Sequence, residues 1–332
     1  MTGVDVVVPC YCYGHYLRQC VESVLTQTGV NVRVLIIDDA SADDSAEIAT
    51  DLCKRDARVN FIRHTINRGH IATYNEGIEW ASAKYYMILS ADDYLLPGAL
   101  SRGANLMNTN PSIGLTFGQA VTITDGDSPQ TPPQSGHLGG RVVPGLEFIM
   151  ASGVTNVVPT PTAVVRTDLQ KQLGGYRPEL PHAGDMEMWL RLAAHSDIGV
   201  IDAYQAVYRR HAANMSSLYY VDMWLPDLRQ RKAAIEHFMS TCHDLLPRAA
   251  EMQKKFFGLL AEEAVRYAKT AFNQDEVERC QQLCQFAVEI SPQIKRSYLW
   301  KKLNCSIWLG PSVWNSLRMP ILWIRQLINH NL

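Results

Sequence analysis

Leu35-Ile-Ile-Asp-Asp-Ala-Ser41 and Tyr85-Tyr-Met-Ile-Leu-Ser-Ala-Asp-Asp93 decide the fold. Each contains an apolar run that leads into two adjacent carboxylates. A short apolar run closed by polar residues is how a strand buried on both faces reads in sequence. Working outward, Val4–Val8 is a β-branched run closed by Pro9, Val32–Ile37 leads into Asp38, and Val59–Arg63 is another such run. Tyr85–Leu89 is the fourth. Between them, Leu17, Cys20, Val21, Val24 and Leu25 fall at helical spacing within Tyr16 to Thr28. Ser41-Ala-Asp-Asp-Ser45 supplies capping residues for a helix through about Arg55, and Thr73 to Ala83 is a further helical segment. Strands alternating with helices of this length predict βαβ units, hence an α/β fold with a mostly parallel central sheet and flanking helices.

In open sheets of this kind, ligands gather beyond the carboxyl ends of the strands. The residues there are Pro9-Cys-Tyr11, Asp38-Asp39, Asn67-Arg-Gly69 and Ser90-Ala-Asp92-Asp93, so polar and acidic groups collect along one edge. Adjacent carboxylates such as Asp92 and Asp93 repel unless a cation offsets them. A hard divalent ion takes oxygen ligands and also binds phosphate oxygens. The other role open to this pair is capping of the helix that starts near Pro97. No Gly-x-Gly-x-x-Gly follows the first strand and no Walker A sequence is present. A dinucleotide-dependent oxidoreductase and a P-loop NTPase both lose their main support.

Six stretches, taken together, resemble the inverting family 2 glycosyltransferases of GT-A fold. They are Val-Val-Val-Pro-Cys-Tyr at 6–11, Leu-Ile-Ile-Asp-Asp-Ala-Ser at 35–41, Asn67-Arg-Gly69 with Asn75, Leu-Ser-Ala-Asp-Asp at 89–93, Gly-Asp-Met-Glu-Met-Trp-Leu-Arg-Leu at 184–192, and Tyr-Arg-Arg-His-Ala-Ala-Asn-Met-Ser at 208–216. The resemblance implies transfer of a sugar from a nucleoside diphosphate donor, most commonly a UDP-sugar, to a saccharide or lipid-linked acceptor. It implies that Pro9 and Tyr11 line a nucleotide pocket, that Asp39 accepts a hydrogen bond from the base with Asp38 beside it, and that Asn67, Arg68 and Gly69 border the same pocket. Asp92 would contact the ribose or donor sugar. Asp93 would hold Mn2+ or Mg2+ through the diphosphate, with His211 a second metal or phosphate contact. Asp185 would be the general base.

Each later residue also has a plainer reading. Asp185 can cap a helix starting at Met186, Glu187 is a competing base, and His211 can be an ordinary surface histidine. Trp189, Leu190 and Leu192 suit core packing, and Arg191 can pair with Glu187 at i, i+4. Two positions depart from the family pattern: Cys12 stands where Asn is common, and Ser90 where an acid is frequent.

The chain has 332 residues, 47% hydrophobic and 19% charged, enough for a sizeable core. Asp125 to Gly140 reads as a loop, Pro144 to Ser152 as a short helix and Val157 to Val165 as Pro-broken strand. Thr167 to Leu173 reads as a helix, Met186 to His195 as an amphipathic helix and Ile198–Ile201 as a strand, with helices beyond Met215. The expected organisation is a catalytic domain over 1–216 and a helical C-terminal region over 217–332.

The formal net charge of −2 argues against a basic coat for nucleic acid. It averages an acidic body with a basic tail. Ser291 to Leu332 carries Lys295, Arg296, Lys301, Lys302, Arg318 and Arg325, no Asp or Glu, and four of the seven Trp. Such a tail suits the surface of an anionic membrane, or else a helical cap on the body or a partner chain. Eight cysteines without zinc spacing, and an N-terminus unlike a signal peptide, lead to the expectation of free thiols in the reducing cytoplasm, peripheral at most to a membrane. Two other functions stay in view. A nucleotidyltransferase needs a Gly-rich basic loop that Pro9-Cys-Tyr-Cys-Tyr-Gly14 does not supply. A non-catalytic carbohydrate- or nucleotide-binding or scaffold protein on the same fold would be indifferent to Asp185→Asn.

Overall fold

The computed structural model describes residues 1–124, 139–212, 214 and 224–310. Most of the 125–140 loop, Arg318, Arg325, Trp314 and Trp323 lie outside them. The chain divides into two compact units, Met1–Leu218 with Glu236–Pro247, and Tyr219–Ile235 with Arg248–Leu332. The segment Glu236–Pro247 thus groups with the first unit, where the sequence placed it with the C-terminal region.

The first unit is built on one sheet. Its strands are β1 (Thr2–Cys10), β2 (Val30–Asp38), β3 (Val59–Arg63), β4 (Tyr85–Ile88), β5 (Tyr94–Leu95), β6 (Ile113–Thr124), β7 (Gly140–Val143), β8 (Val164–Arg166) and β9 (Asp197–Arg210). Their order is β3-β2-β1-β4-β8-β6-β9-β5, with β7 also on β9. The pairs β1 with β2, β1 with β4, β2 with β3 and β6 with β9 are parallel, whereas β5, β7 and β8 pair antiparallel with their neighbours. The helices are α1 (Gly14–Leu25), α2 (Ser45–Arg55), α3 (His70–Trp80), α4 (Ala99–Thr109), α5 (Gly145–Ser152), α6 (Thr167–Leu173) and α7 (Gly184–His195). Val4, Val6, Val8, Val34 and Ile36 pack on Leu17, Val21 and Val24 of α1 and Ala49 and Leu52 of α2 in one buried core. This burial on both faces is why the strands read as continuous apolar runs.

Asp5 is a fully buried acid inside β1. Arg33 grips it with two hydrogen bonds of 2.8 and 2.6 Å, and the Ser82 and Ala83 backbone N–H groups donate to it at 2.7 and 2.8 Å. It lies at the opposite end of β1 from the acidic edge, so it fastens the fold there.

Among the elements that differ from the sequence reading are β9 and α7. Residues 198–201 are only the start of β9, which runs on to Arg210 beside β6 through a register shift at Phe117–Gln119. Polar Asp202, Tyr204 and Gln205 interrupt the apolar pattern, but backbone pairing carries the strand through. Helix α7 is not amphipathic: Met186 to Ala193 are all buried, including Glu187 and Arg191.

In the second unit, α9 (Ala249–Asn273) and α10 (Val277–Ile290) pack together, burying Phe256, Leu260, Ala264, Leu283 and Phe286. They follow α8 (Leu225–Cys242) and precede α11 (Tyr298–Leu309). No two of the eight cysteines are joined. No helix among the described residues is long and apolar enough to cross a membrane.

Candidate active site

The carboxyl ends of β1, β2 and β4 bring the expected acids to one edge, and β9 returns to meet them. Asp38 ends β2, fully buried. Its Oδ1 accepts from the Ser41 N–H at 3.1 Å, and its Oδ2 lies 3.1 Å from Arg63 Nε. Asp39 follows and faces the other way. Its Oδ1 is 2.7 Å from the Arg68 N–H and 2.7 Å from His64 Nδ1, and its Oδ2 accepts from the Gly69 N–H at 2.8 Å. Gly69 has φ of 81°, which a side chain would disfavour, and this lets its N–H turn to Asp39. Asn67 caps the same N–H through its Oδ1 at 3.0 Å, and Arg68 reaches Glu76 at 2.9 Å. Asp39 therefore organises the Asn67-Arg-Gly69 loop. Pro9 is buried within β1, while Tyr11 is 50% exposed with its ring available for stacking.

His64 was not foreseen. Its Nε2 lies 2.9 Å from Glu76 Oε2, so the imidazole bridges two carboxylates. Its position one residue past β3 was the only available signal. Cys12 has φ of 57°, the left-handed region that Asn tolerates best among non-glycine residues, which explains the family preference there. Its N–H still reaches Ser41 Oγ at 2.8 Å.

The turn after β4 separates the two adjacent acids. Asp93 is buried, and its Oδ1 accepts from the Arg209 N–H of β9 at 2.8 Å. Burial and the neighbouring Asp92 charge raise the Asp93 carboxyl well above the usual carboxylate range. Asp92 Oδ2 meets His211 Nε2 and Asn214 Nδ2, each at 3.1 Å. Asp92 Oδ1 is buried without a hydrogen-bond partner among the described residues. Arg209 fastens the arrangement, donating from Nε to the Asp92 carbonyl at 2.9 Å and from its guanidinium to Gln19 at 2.8 Å. The same guanidinium lies 4.3 Å from the Tyr16 ring centre. Tyr13 and Tyr16 pack against the His211 ring at 5.3 and 5.4 Å, so His211 is a buried, oriented side chain rather than a surface histidine.

Asp185 opens α7. Its Oδ2 accepts from Asn156 Nδ2 at 2.7 Å and Thr160 Oγ1 at 3.1 Å, and its Oδ1 from the Met186 N–H at 2.8 Å. Burial raises its carboxyl above the usual range, against these hydrogen bonds. The Tyr74 phenol of α3 is raised by burial and then by the charges of Asp185, Asp92 and Asp93. Glu187, the competing base of the sequence reading, is fully buried, with Arg177 at 3.1 Å and Arg191 at 2.8 Å. Arg191 also donates to the Leu173 and Gly175 carbonyls at 2.6 and 2.8 Å, tying α7 to the preceding loop. Asn75 clasps Tyr176 of that loop at both its N–H (2.7 Å) and its carbonyl (2.9 Å). A Cβ on Gly175 would lie 2.3 Å from Asn75 Oδ1, so this close approach needs glycine.

The family model Glycosyl transferase family 2 matches residues 5–158. An uncharacterized glycosyltransferase of Rickettsia felis is 31% identical over 202 residues, covering 60% of this chain and 32% of that protein. This chain spans about a third of that relative's length. Among solved structures, S. aureus TarS 1–349 superposes with a TM-score of 0.63 at 16% identity, covering 96% of this chain and 92% of that one. The mannosyltransferase PcManGT from Pyrobaculum calidifontis, in complex with GDP-Man and Mn2+, superposes with a TM-score of 0.53 at 13% identity, covering 89% of this chain and 75% of that one. Residues 5–158 thus match a family 2 glycosyltransferase domain, and the relative and the superposed structures support a glycosyltransferase of GT-A fold.

Proposed function

We propose that this protein transfers a sugar from a nucleoside diphosphate donor to a hydroxyl of a saccharide or lipid-linked acceptor, inverting the anomeric carbon. The Asp185 carboxylate carries the reading. It is partly buried, of raised basicity, and held by Asn156 and Thr160 at the start of α7. An acceptor hydroxyl is a poor nucleophile until its proton leaves. A carboxylate whose basicity is raised toward the working pH takes that proton more effectively as attack proceeds. One base acting on one displacement gives inversion, and no second carboxylate nucleophile is required, unlike a retaining glycosidase pair.

Asp39 accepts from the Arg68 and Gly69 N–H groups and lies against His64 Nδ1, which leaves its carboxyl oxygens to meet a donor on the base. The base it meets must present an N–H, as uracil and guanine do. TarS has been crystallised with UDP-GlcNAc, and PcManGT with GDP-Man and Mn2+. Both support a nucleotide-sugar donor, and a UDP-sugar is the first candidate.

The residues also fit a divalent cation, Mn2+ or Mg2+. The orphaned Asp92 Oδ1 and the oriented His211 would hold it, while Asp93 is turned to the Arg209 N–H. The sequence reading gave the metal to Asp93; this reading moves it to Asp92. Among the described residues no group of three His, Cys, Asp or Glu side chains is placed to bind a metal, so the remaining ligands would be diphosphate oxygens and water. A cation held by Asp92 and His211 would offset the charge that builds on the departing diphosphate.

The test is a panel of nucleotide sugars assayed for turnover with Mn2+, with Mg2+ and with a chelator. Metal-dependent release of a nucleoside diphosphate supports the proposal. Binding of donor without turnover under any metal would contradict it.

A further inference from the structure

Helix α11 buries Leu303 and Ser306, and its opposite arc is made of Tyr298, Lys301, Cys305 and Trp308, spaced three, four and three residues apart. That spacing puts the four on one face. Tyr298 is 75% exposed and Trp308 85%, so two large aromatic rings stand in water at the two ends of one helix. Lys301 lies between them, Lys302 sits on the flank with its Nζ 6.0 Å from the Tyr298 ring centre, and exposed Lys295 and Arg296 precede the helix. No carboxylate occurs anywhere from Ser291 to Leu332 to pair with these cations.

A second copy of the chain is a poor occupant of this face. A twofold contact sets the same patch against itself and would bring lysine against lysine. A nucleic acid is a poor occupant as well, because the remainder of the chain is acidic. An interface of anionic lipid headgroups satisfies both kinds of group at once. Tyr and Trp rings settle at headgroup depth with their polar atoms wet, and each Lys or Arg near the surface gains attraction from the lipid charge. We propose that the Tyr298–Lys301–Cys305–Trp308 face of α11, with Lys295, Arg296 and Lys302, docks the protein peripherally on an anionic bilayer surface.

The test uses the full chain and sedimentation with vesicles of phosphatidylcholine alone or with about a third phosphatidylglycerol. Binding is expected only to the anionic vesicles, and it should weaken steeply as salt rises. The K295E/R296E/K301E/K302E variant should bind at least tenfold more weakly, and Trp308→Ala should bind more weakly at unchanged charge. These side chains are exposed, and an unchanged melting curve verifies the fold. Cys305 is exposed, so a polarity-sensitive thiol probe there should shift to shorter wavelength on anionic vesicles. Equal binding to neutral vesicles, or insensitivity to both variants, would overturn the proposal. So would vesicle binding that leaves the Cys305 probe in water, or salt-resistant self-association that hides it.

Discussion

Thr160→Val isolates one hydrogen bond to the proposed base. The substitution keeps shape and removes the donor that reaches Asp185 Oδ2 at 3.1 Å, leaving Asn156 at 2.7 Å on the same oxygen. Burial raises the Asp185 carboxyl, and the Thr160 hydroxyl is among the groups that hold it down. Removing that donor destabilises the ionised form, so the carboxyl rises further and is protonated over a wider range. The acid limb of the rate profile must therefore move to higher pH. A hydrogen bond to a charged group contributes about 1.5–3 kcal/mol when well formed, and 1.36 kcal/mol corresponds to one pH unit. Because Asp185 is only partly buried, solvent takes up part of this, and a displacement of about 0.5–1 pH is expected. Asn156→Asp should move the limb further the same way, because a second carboxylate then faces the first. The assay is donor turnover, to water or acceptor, followed across the acid range, with the alkaline plateau as the internal control. An acid limb that stays in place in both variants would refute the assignment of Asp185 as the titrating base, or of these two residues as its neighbours in solution.

Three further outcomes follow from the same geometry. Asp92→Asn should weaken activation by Mn2+ at least tenfold, whereas Asp93→Asn, which still offers an oxygen to the Arg209 N–H, should leave the metal titration nearly unchanged. His64→Asn removes the bridge between Asp39 and Glu76 and should raise the donor KM about tenfold with kcat at saturation preserved, since two lost hydrogen bonds at about 0.5–1.5 kcal/mol each act on binding alone. Asp5→Ala leaves the Ser82 and Ala83 N–H groups unpaired and should cost about 2–4 kcal/mol in denaturant unfolding.

The strand-end motifs were legible because burial on both faces writes itself as apolar runs, and the ligand edge is wherever those runs stop. Asp38, Asp39 and Asn67-Arg68-Gly69 could be grouped from sequence on that basis, and in the structure Asp39 accepts from the Arg68 and Gly69 N–H groups. The different partners of Asp92 and Asp93 were not legible. Adjacent positions in a turn point apart, and only the arrival of Arg209 on β9 decides which acid is turned inward. The length of β9 was hidden by its polar middle, since its partner β6 supplies the backbone pairing that its side chains do not advertise. Asn156, Thr160 and His64 acquire meaning only through contacts across 12 to 29 residues of chain, which no local pattern carries. Glu187 read as a rival base because helix position says nothing of the two arginines that enclose it.

Asp185→Asn tests the central claim most directly. The amide preserves the shape at the start of α7 but cannot take a proton, so turnover should fall by about 10²–10⁴. Donor affinity, measured by calorimetry with Mn2+ present, should stay within twofold, because Asp39, Asp92 and His211 are untouched. Turnover that persists near the native rate, with donor still bound, would contradict Asp185 as the base that drives transfer.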